Sequence, residues 1–147
     1  MYEAFSSIPK TQRTNHTLQC VVRQEGFSDT KEAKMLVKGS DVLNKAMKRR
    51  YAVGAFNVYN LESLQAVIRA AEKLKSPVIV QTSESAIYYA GLGVIGKMIE
   101  IAAFSTKIPV VLHLDHGKNI TLIRKCLDLG YTSIMFDGSE FNFRKNL

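Results

Sequence analysis

Residues 109–117 read PVVLHLDHG. The stretch opens as a run of β-branched and aliphatic residues and then places two histidines and an aspartate within positions 113–116. An uninterrupted apolar run of this kind fits a strand covered on both sides, as in a parallel sheet. Side chains alternate along a strand. Val111, His113 and Asp115 therefore share one face, and Val110, Leu112 and Leu114 share the other. The all-apolar set is expected against helices. The set holding His113 and Asp115 is expected to face the interior, with Asp115 nearest the open rim. A plain turn after a buried strand is the competing reading, because Asp and Gly are turn formers.

Outward from this strand the chain alternates between two periodicities. YAVGAFNV (51–58), PVIVQTS (77–83) and TSIMFDGS (132–139) read as further strands. LESLQAVIRAAEKLK (61–75), GVIGKMIEIAAFST (93–106) and NITLIRKCLDLG (119–130) read as helices, the last ending at Gly130. A repeated strand, short loop and helix predicts parallel strands joined by helical crossovers. The choice lies between a doubly wound sheet and a (β/α)8 barrel. No GxGxxG follows the first strand, which counts against a dinucleotide fold. Ahead of these units, MLVKGSDVLNKAMKRR (35–50) reads as the start of the domain. Ser40 suits an N-cap, with Val42, Leu43, Ala46 and Met47 on one helical face. Residues 1–34 show no sustained period and are expected to be a disordered or extraneous extension, with Met35 as the natural beginning.

Composition narrows the function classes. The chain has 147 residues, enough for one ordinary domain. Its two cysteines, Cys20 and Cys126, form no CxxC pair, so neither a disulfide framework nor a thiolate zinc site is indicated. Cys126 lies on a helix and reads as packing. A reducing cytoplasm is the simplest home. No apolar run reaches the roughly 18 residues of a membrane span, and the N-terminus lacks the apolar core of a secretory signal. The net charge is +7, but the densest basic run is only Lys48–Arg50 at a helix end, where cations are favoured by the helix dipole. Nucleic acid and membrane are not expected as partners. A phosphorylated small substrate would use the basic field equally well.

The strand tips carry the chemistry. The first strand ends at Asn57, the second at Gln81–Ser83, the third at Asp115 and His116, and the fourth at Asp137–Ser139. Ligands in parallel α/β folds bind off the carboxyl ends of the strands. With these residues in view, AVGAFNVYNLESLQAVIRAAEKLKSPVIVQTSE, PVVLHLDHG and YTSIMFDGSEFNFRKN resemble the class II, metal-dependent fructose-bisphosphate aldolases and their tagatose-bisphosphate relatives. The resemblance runs from about Met35 to the last residue, and HLDHG after a valine-rich strand is its most specific part.

The resemblance implies an α/β fold of the (β/α)8 TIM-barrel family, present here as an incomplete half barrel of about four strands. It implies aldol cleavage of a ketose bisphosphate in carbohydrate metabolism, with one catalytic zinc ion and a homo-oligomer in the intact family. Asp115 would be the acid/base at the C4 hydroxyl. His116 would be one of three histidine ligands to zinc, and Asp137 would help hold the metal in a more buried position. Asn57 and Ser83 would contact substrate. Independently of the family, splitting a C–C bond beside a carbonyl leaves an enediolate whose charge needs either a lysine Schiff base or a metal. No lysine falls on an inward strand position, so histidine and carboxylate fit the metal route.

Each residue has a plainer reading. Ser83 suits an N-cap in SES, Asn57 a turn, and Asp137–Gly138 an ordinary turn. His113 reads as a hydrogen-bonded interior residue, and His16 as uninvolved. Glu84 and Glu140 are weaker metal candidates. With three histidines in the whole chain, one of them in the leader, a three-histidine site cannot form from this chain alone. Two hypotheses follow: the N-terminal half of an aldolase that needs the rest of its barrel, or a non-catalytic remnant or interaction module.

Overall fold

The computed structural model describes residues 35–146. The extension expected over residues 1–34 lies outside the described residues, as do His16 and Cys20. The elements run α1 (Gly39–Arg49), β1 (Gly54–Asn57), α2 (Leu61–Leu74), β2 (Val78–Ser83), α3 (Glu84–Ala90), α4 (Leu92–Phe104), β3 (Val110–Gly117), α5 (Ile120–Leu129), β4 (Ser133–Phe136) and α6 (Phe143–Asn146).

The helices form where their ends and faces dictate. At the start of α2, the Asn60 side chain accepts from Ser63 N–H at 2.9 Å, and Ser63 Oγ accepts from Asn60 N–H at 3.2 Å. This reciprocal cap satisfies two amides that the helix itself leaves unpaired. Leu64, Ile68 and Ala71 recur at helical spacing and are buried. Ile95, Ile99 and Ala103 of α4, and Leu122, Ile123 and Cys126 of α5, make equivalent stripes. Gly130 closes α5 in the left-handed region at φ 102°, which glycine adopts without Cβ strain.

These stripes meet one face of a four-stranded parallel sheet in the order β1-β2-β3-β4. Val78 and Val80 of β2, with Val110, Leu112 and Leu114 of β3, join the helical side chains in a single core. The expected alternation along β3 is present. Val111 lies on the other face, where the start of α1 packs: a Cβ on Gly39 would stand 3.5 Å from Val111 Cγ1 and 2.9 Å from Ser133 Oγ. The segment before α1 runs beside the first residue of β3, through Val37 N–H to Val110 O at 2.9 Å and Val110 N–H to Met35 O at 2.8 Å. Chain entry and α1 thus occupy the N-terminal end of the sheet and leave the C-terminal tips clear.

Four details depart from the sequence reading. Ser40 is not the N-cap of α1: the helix opens at Gly39, and Lys38 holds the cap position without a side-chain bond. The Gly39 amide is already satisfied by Thr132 O at 3.3 Å. Only Val42 and Ala46 of the expected face are buried, while Leu43 and Met47 are exposed. The first strand is limited to four exposed residues at the sheet edge, and a separate helix α3 follows Ser83, where the sequence suggested only the N-cap.

The pairing of β3 with β4 contains one irregularity. Leu114 pairs with Ile134 and Gly117 with Phe136, so three steps on β3 match two on β4. The extra residue falls at Asp115–His116, and His116 has φ 51°. A left-handed non-glycine residue costs on the order of 1–3 kcal/mol and persists only where its surroundings over-determine it. Bulges of this kind re-aim side chains beside active sites.

Candidate active site

The register aligns the strand tips in rows. Asn57, Gln81, His113 and Ser133 form one row across all four strands. Ser83 and Asp115 form the next row toward the rim. Asn57, Ser83, Asp115, His116 and Asp137 therefore stand at one end of the sheet, as the sequence required.

Asp115 lies on the sheet face opposite the helical core, its side chain 18% exposed. Its Oδ2 accepts from Gln81 Nε2 at 2.9 Å. Its Oδ1 stands 3.8 Å from His116 Nε2. Strict alternation would have turned His116 toward Leu114 and the core. The bulge reverses this and leaves the imidazole 60% exposed, with Nδ1 3.1 Å from Asp137 Oδ2. The second Asp137 oxygen accepts from Ser139 N–H at 3.0 Å. Hydrogen bonds from Ser139, and then from His116, hold the Asp137 carboxyl well below the usual carboxylate range. Asp137 N–H in turn donates to Gly117 O at 2.9 Å.

The remaining candidates divide. His113 is an interior residue, its Nδ1 2.8 Å from Ser133 Oγ. Burial lowers its pKa from the ordinary 6.5, against the opposing field of Asp115. Ser83 is the N-cap of α3, accepting from Ala86 N–H at 3.2 Å, and its hydroxyl also meets Ser85 Oγ at 2.8 Å. Asn57 is exposed at the end of β1. Cys126 is buried on α5 as part of the core, and desolvation pushes its thiol up to about 11. Glu84 and Glu140 do not point at His116: Glu84 accepts from the Lys118 and Asn119 amides, and Glu140 pairs with Lys118 Nζ.

Gln81 is the residue that sequence reasoning left without a role. It sits two positions before Ser83 on an alternating strand, so its inward direction was available in principle. Its bond to Asp115 depends on pairing between strands 34 positions apart.

The site holds one donor pair suited to a metal: the His116 imidazole beside the Asp137 carboxylate. A catalytic zinc takes three protein donors and keeps one position open. Among the described residues, no three His, Cys, Asp or Glu side chains converge to hold an ion. The residues fit part of such a centre and do not complete it. Two apolar grooves, of about 640 and 480 Å³, lie on the outer face of α2 and α4 and at the β1 edge, away from the tips.

Comparison with known proteins agrees with this geometry. A family model described as Fructose-bisphosphate aldolase class-II matches residues 37–147. The fructose-bisphosphate aldolase of Thermus caldophilus is 43% identical over 113 residues, covering 77% of this chain and 37% of that protein. That of Helicobacter pylori strain 26695 is 44% identical over 114 residues, with the same coverage of 77% and 37%. A sulfofructosephosphate aldolase of Alkalicoccus urumqiensis is 37% identical over 110 residues, covering 75% of this chain and 38% of that protein. Among solved structures, the YdjI aldolase of Escherichia coli K12 superimposes with a TM-score of 0.72 at 34% identity, over 76% of this chain and 43% of that one. The described strands thus span less than half of the barrels they match. The half-barrel sheet, the row of polar tips and these matches together place the chain in the class II fructose-bisphosphate aldolase family.

Proposed function

We propose that this chain supplies the proton-transferring portion of a metal-dependent aldolase that cleaves and forms a ketose bisphosphate. The carrying observation is the pair Asp115 and His116, set side by side on the rim with Asn57 and Ser83 at the same end. Asp115 takes the proton of the substrate C4 hydroxyl as the C3–C4 bond breaks and returns it in the condensation direction. Gln81 fixes the carboxylate by occupying Oδ2, which leaves Oδ1 directed toward the imidazole. Asn57 and Ser83 bound the floor on which the sugar backbone rests.

Zinc, when bound, supplies the positive charge that stabilises the enediolate. His116 would be one of its ligands through Nε2, since Nδ1 is engaged by Asp137. Asp137 orients the imidazole in this arrangement, and its carboxylate would be a further donor to the ion. In an intact member of the family the remaining ligands and the phosphate-binding loops would come from further strands.

The preferred substrate is fructose 1,6-bisphosphate, giving dihydroxyacetone phosphate and glyceraldehyde 3-phosphate, with tagatose 1,6-bisphosphate as the alternative. The enzyme so formed is proposed to be cytoplasmic, glycolytic and homo-oligomeric. The incomplete donor set favours a second reading for the isolated chain, that of a non-catalytic module. The test is to join residues 35–147 to the remaining length of the Helicobacter pylori relative and assay aldol cleavage with zinc and after chelation. Chelator-sensitive turnover that disappears in Asp115→Ala is expected. A folded, zinc-loaded fusion without turnover overturns the proposal.

A further inference from the structure

Glu84 stands one residue past the end of β2, at the first position of α3. Its Oε1 accepts from the backbone N–H of Lys118 and of Asn119, each at 2.8 Å. Both amides belong to the turn that leaves His116 and enters α5. Asn119 caps that helix with its own side chain, accepting from Thr121 and Leu122 N–H at 2.9 and 3.2 Å. The two amides before the helix lack such a partner in their own segment. They receive a carboxylate from the first residue of α3, 34 positions before Lys118. An ionised acceptor at an amide pair makes a strong, directional bond.

The turn so held is under constraint from every side. His116 has φ 51°. Gly117 presses on the core: a Cβ there would stand 2.8 Å from Leu114 Cδ2 and 3.0 Å from Ile123 Cγ1. Its carbonyl is taken by Asp137 N–H at 2.9 Å. Lys118 Nζ pairs with Glu140 in the loop after β4. Glu84 therefore ties the start of α3, at the tip of β2, to the loop after β3, and Lys118 ties that loop to the one after β4.

We propose that Glu84 is a positioning residue for His116. Through the Lys118 and Asn119 amides it locks the left-handed turn that aims the imidazole at Asp137. Its consequence for metal, presenting Nε2 toward an ion, rests on the metal-dependent reading above. A residue that merely capped α5 would stabilise the helix without changing the imidazole.

The experiment uses the full 147-residue chain. Glu84→Ala and Glu84→Gln are compared with the parent by amide hydrogen exchange, by the imidazole nitrogen spectrum of His116 and by Zn²⁺ titration followed on that spectrum. Glu84→Ala is expected to accelerate exchange at Lys118 and Asn119, to erase the signature of the Nδ1–Asp137 bond and to weaken Zn²⁺ binding about tenfold. Glu84→Gln keeps a carbonyl acceptor and is expected to restore most of each readout. Faster amide exchange with an unchanged His116 spectrum overturns the proposal, because Glu84 is then a helix cap alone. If Glu84→Ala does not fold, Glu84→Asp, which withdraws the oxygen by one methylene, is read by the same criteria. A parent chain whose His116 signals ignore Zn²⁺ removes the metal reading, while exchange and the imidazole spectrum still decide whether Glu84 positions the ring.

Discussion

Asp115 and His116 are neighbours in sequence, yet they reach the same rim by different means. Asp115 arrives by the simple alternation of a strand. His116 arrives because one extra residue on β3 and a left-handed backbone turn it away from the core. In a completed barrel, Asp115→Ala is expected to lower kcat by about 10²- to 10⁴-fold with metal affinity little changed, as steady-state kinetics and zinc analysis would show. His116→Ala is expected to lose metal first, seen as zinc content of the purified protein. His113 gives a pH prediction. Its folded pKa lies below the ordinary 6.5, so the unfolded chain binds more protons in that window. Stability is then full above about 6.5 and declines as pH falls from there toward the depressed value. Chemical denaturation against pH should show this acid decline reduced in His113→Gln. At this scale the sequence disclosed which residue types cluster and which face Asp115 takes. It did not disclose the bulge, because no glycine marks the left-handed position and the irregularity exists only relative to β4.

The elements were the most legible level. Apolar stripes in α2, α4 and α5 and the unbroken runs of β2 and β3 state their own partners, since each stripe has one face to bury. The failures came where tertiary contacts replaced local signals. The α1 cap is satisfied by the Thr132 carbonyl rather than by Ser40, and α3 begins at a serine whose cap function competes with its role as a strand tip. Leu112 is a fair probe of the shared core, being 1% exposed between β2, β4 and the helices. Leu112→Ala is expected to cost about 2–5 kcal/mol, measured by urea unfolding. Cys126 tests the burial of α5 differently. Its buried, protonated thiol should escape alkylation at pH 8 in the native chain and react once the chain is unfolded, as peptide mass spectrometry would show.

For the whole molecule, the polarity of the sheet matters more than any single contact. All four strands run the same way and their tips share one end, so the candidate residues are brought together by this sheet alone. The sequence conveyed this through its alternation of strands and helices, and family membership followed from the tips. Both outer strands, β1 and β4, are edges among the described residues, and Phe56, Met135 and Phe136 are exposed on them. Open edges with apolar side chains promote association. The isolated chain should show concentration-dependent mass in sedimentation velocity. Joining the remaining barrel strands should replace it with one defined oligomer, and a strictly monomeric isolated chain at all concentrations would contradict the expectation.

Each strand in this sheet pairs with the strand that precedes it in the chain. Among the described residues, only the bridge from the Met35–Val37 segment to Val110 waits for a distant strand. Entropic loop closure is therefore met in small steps. A nascent polypeptide can add one unit at a time as it leaves the ribosome, each new strand finding its partner already in place.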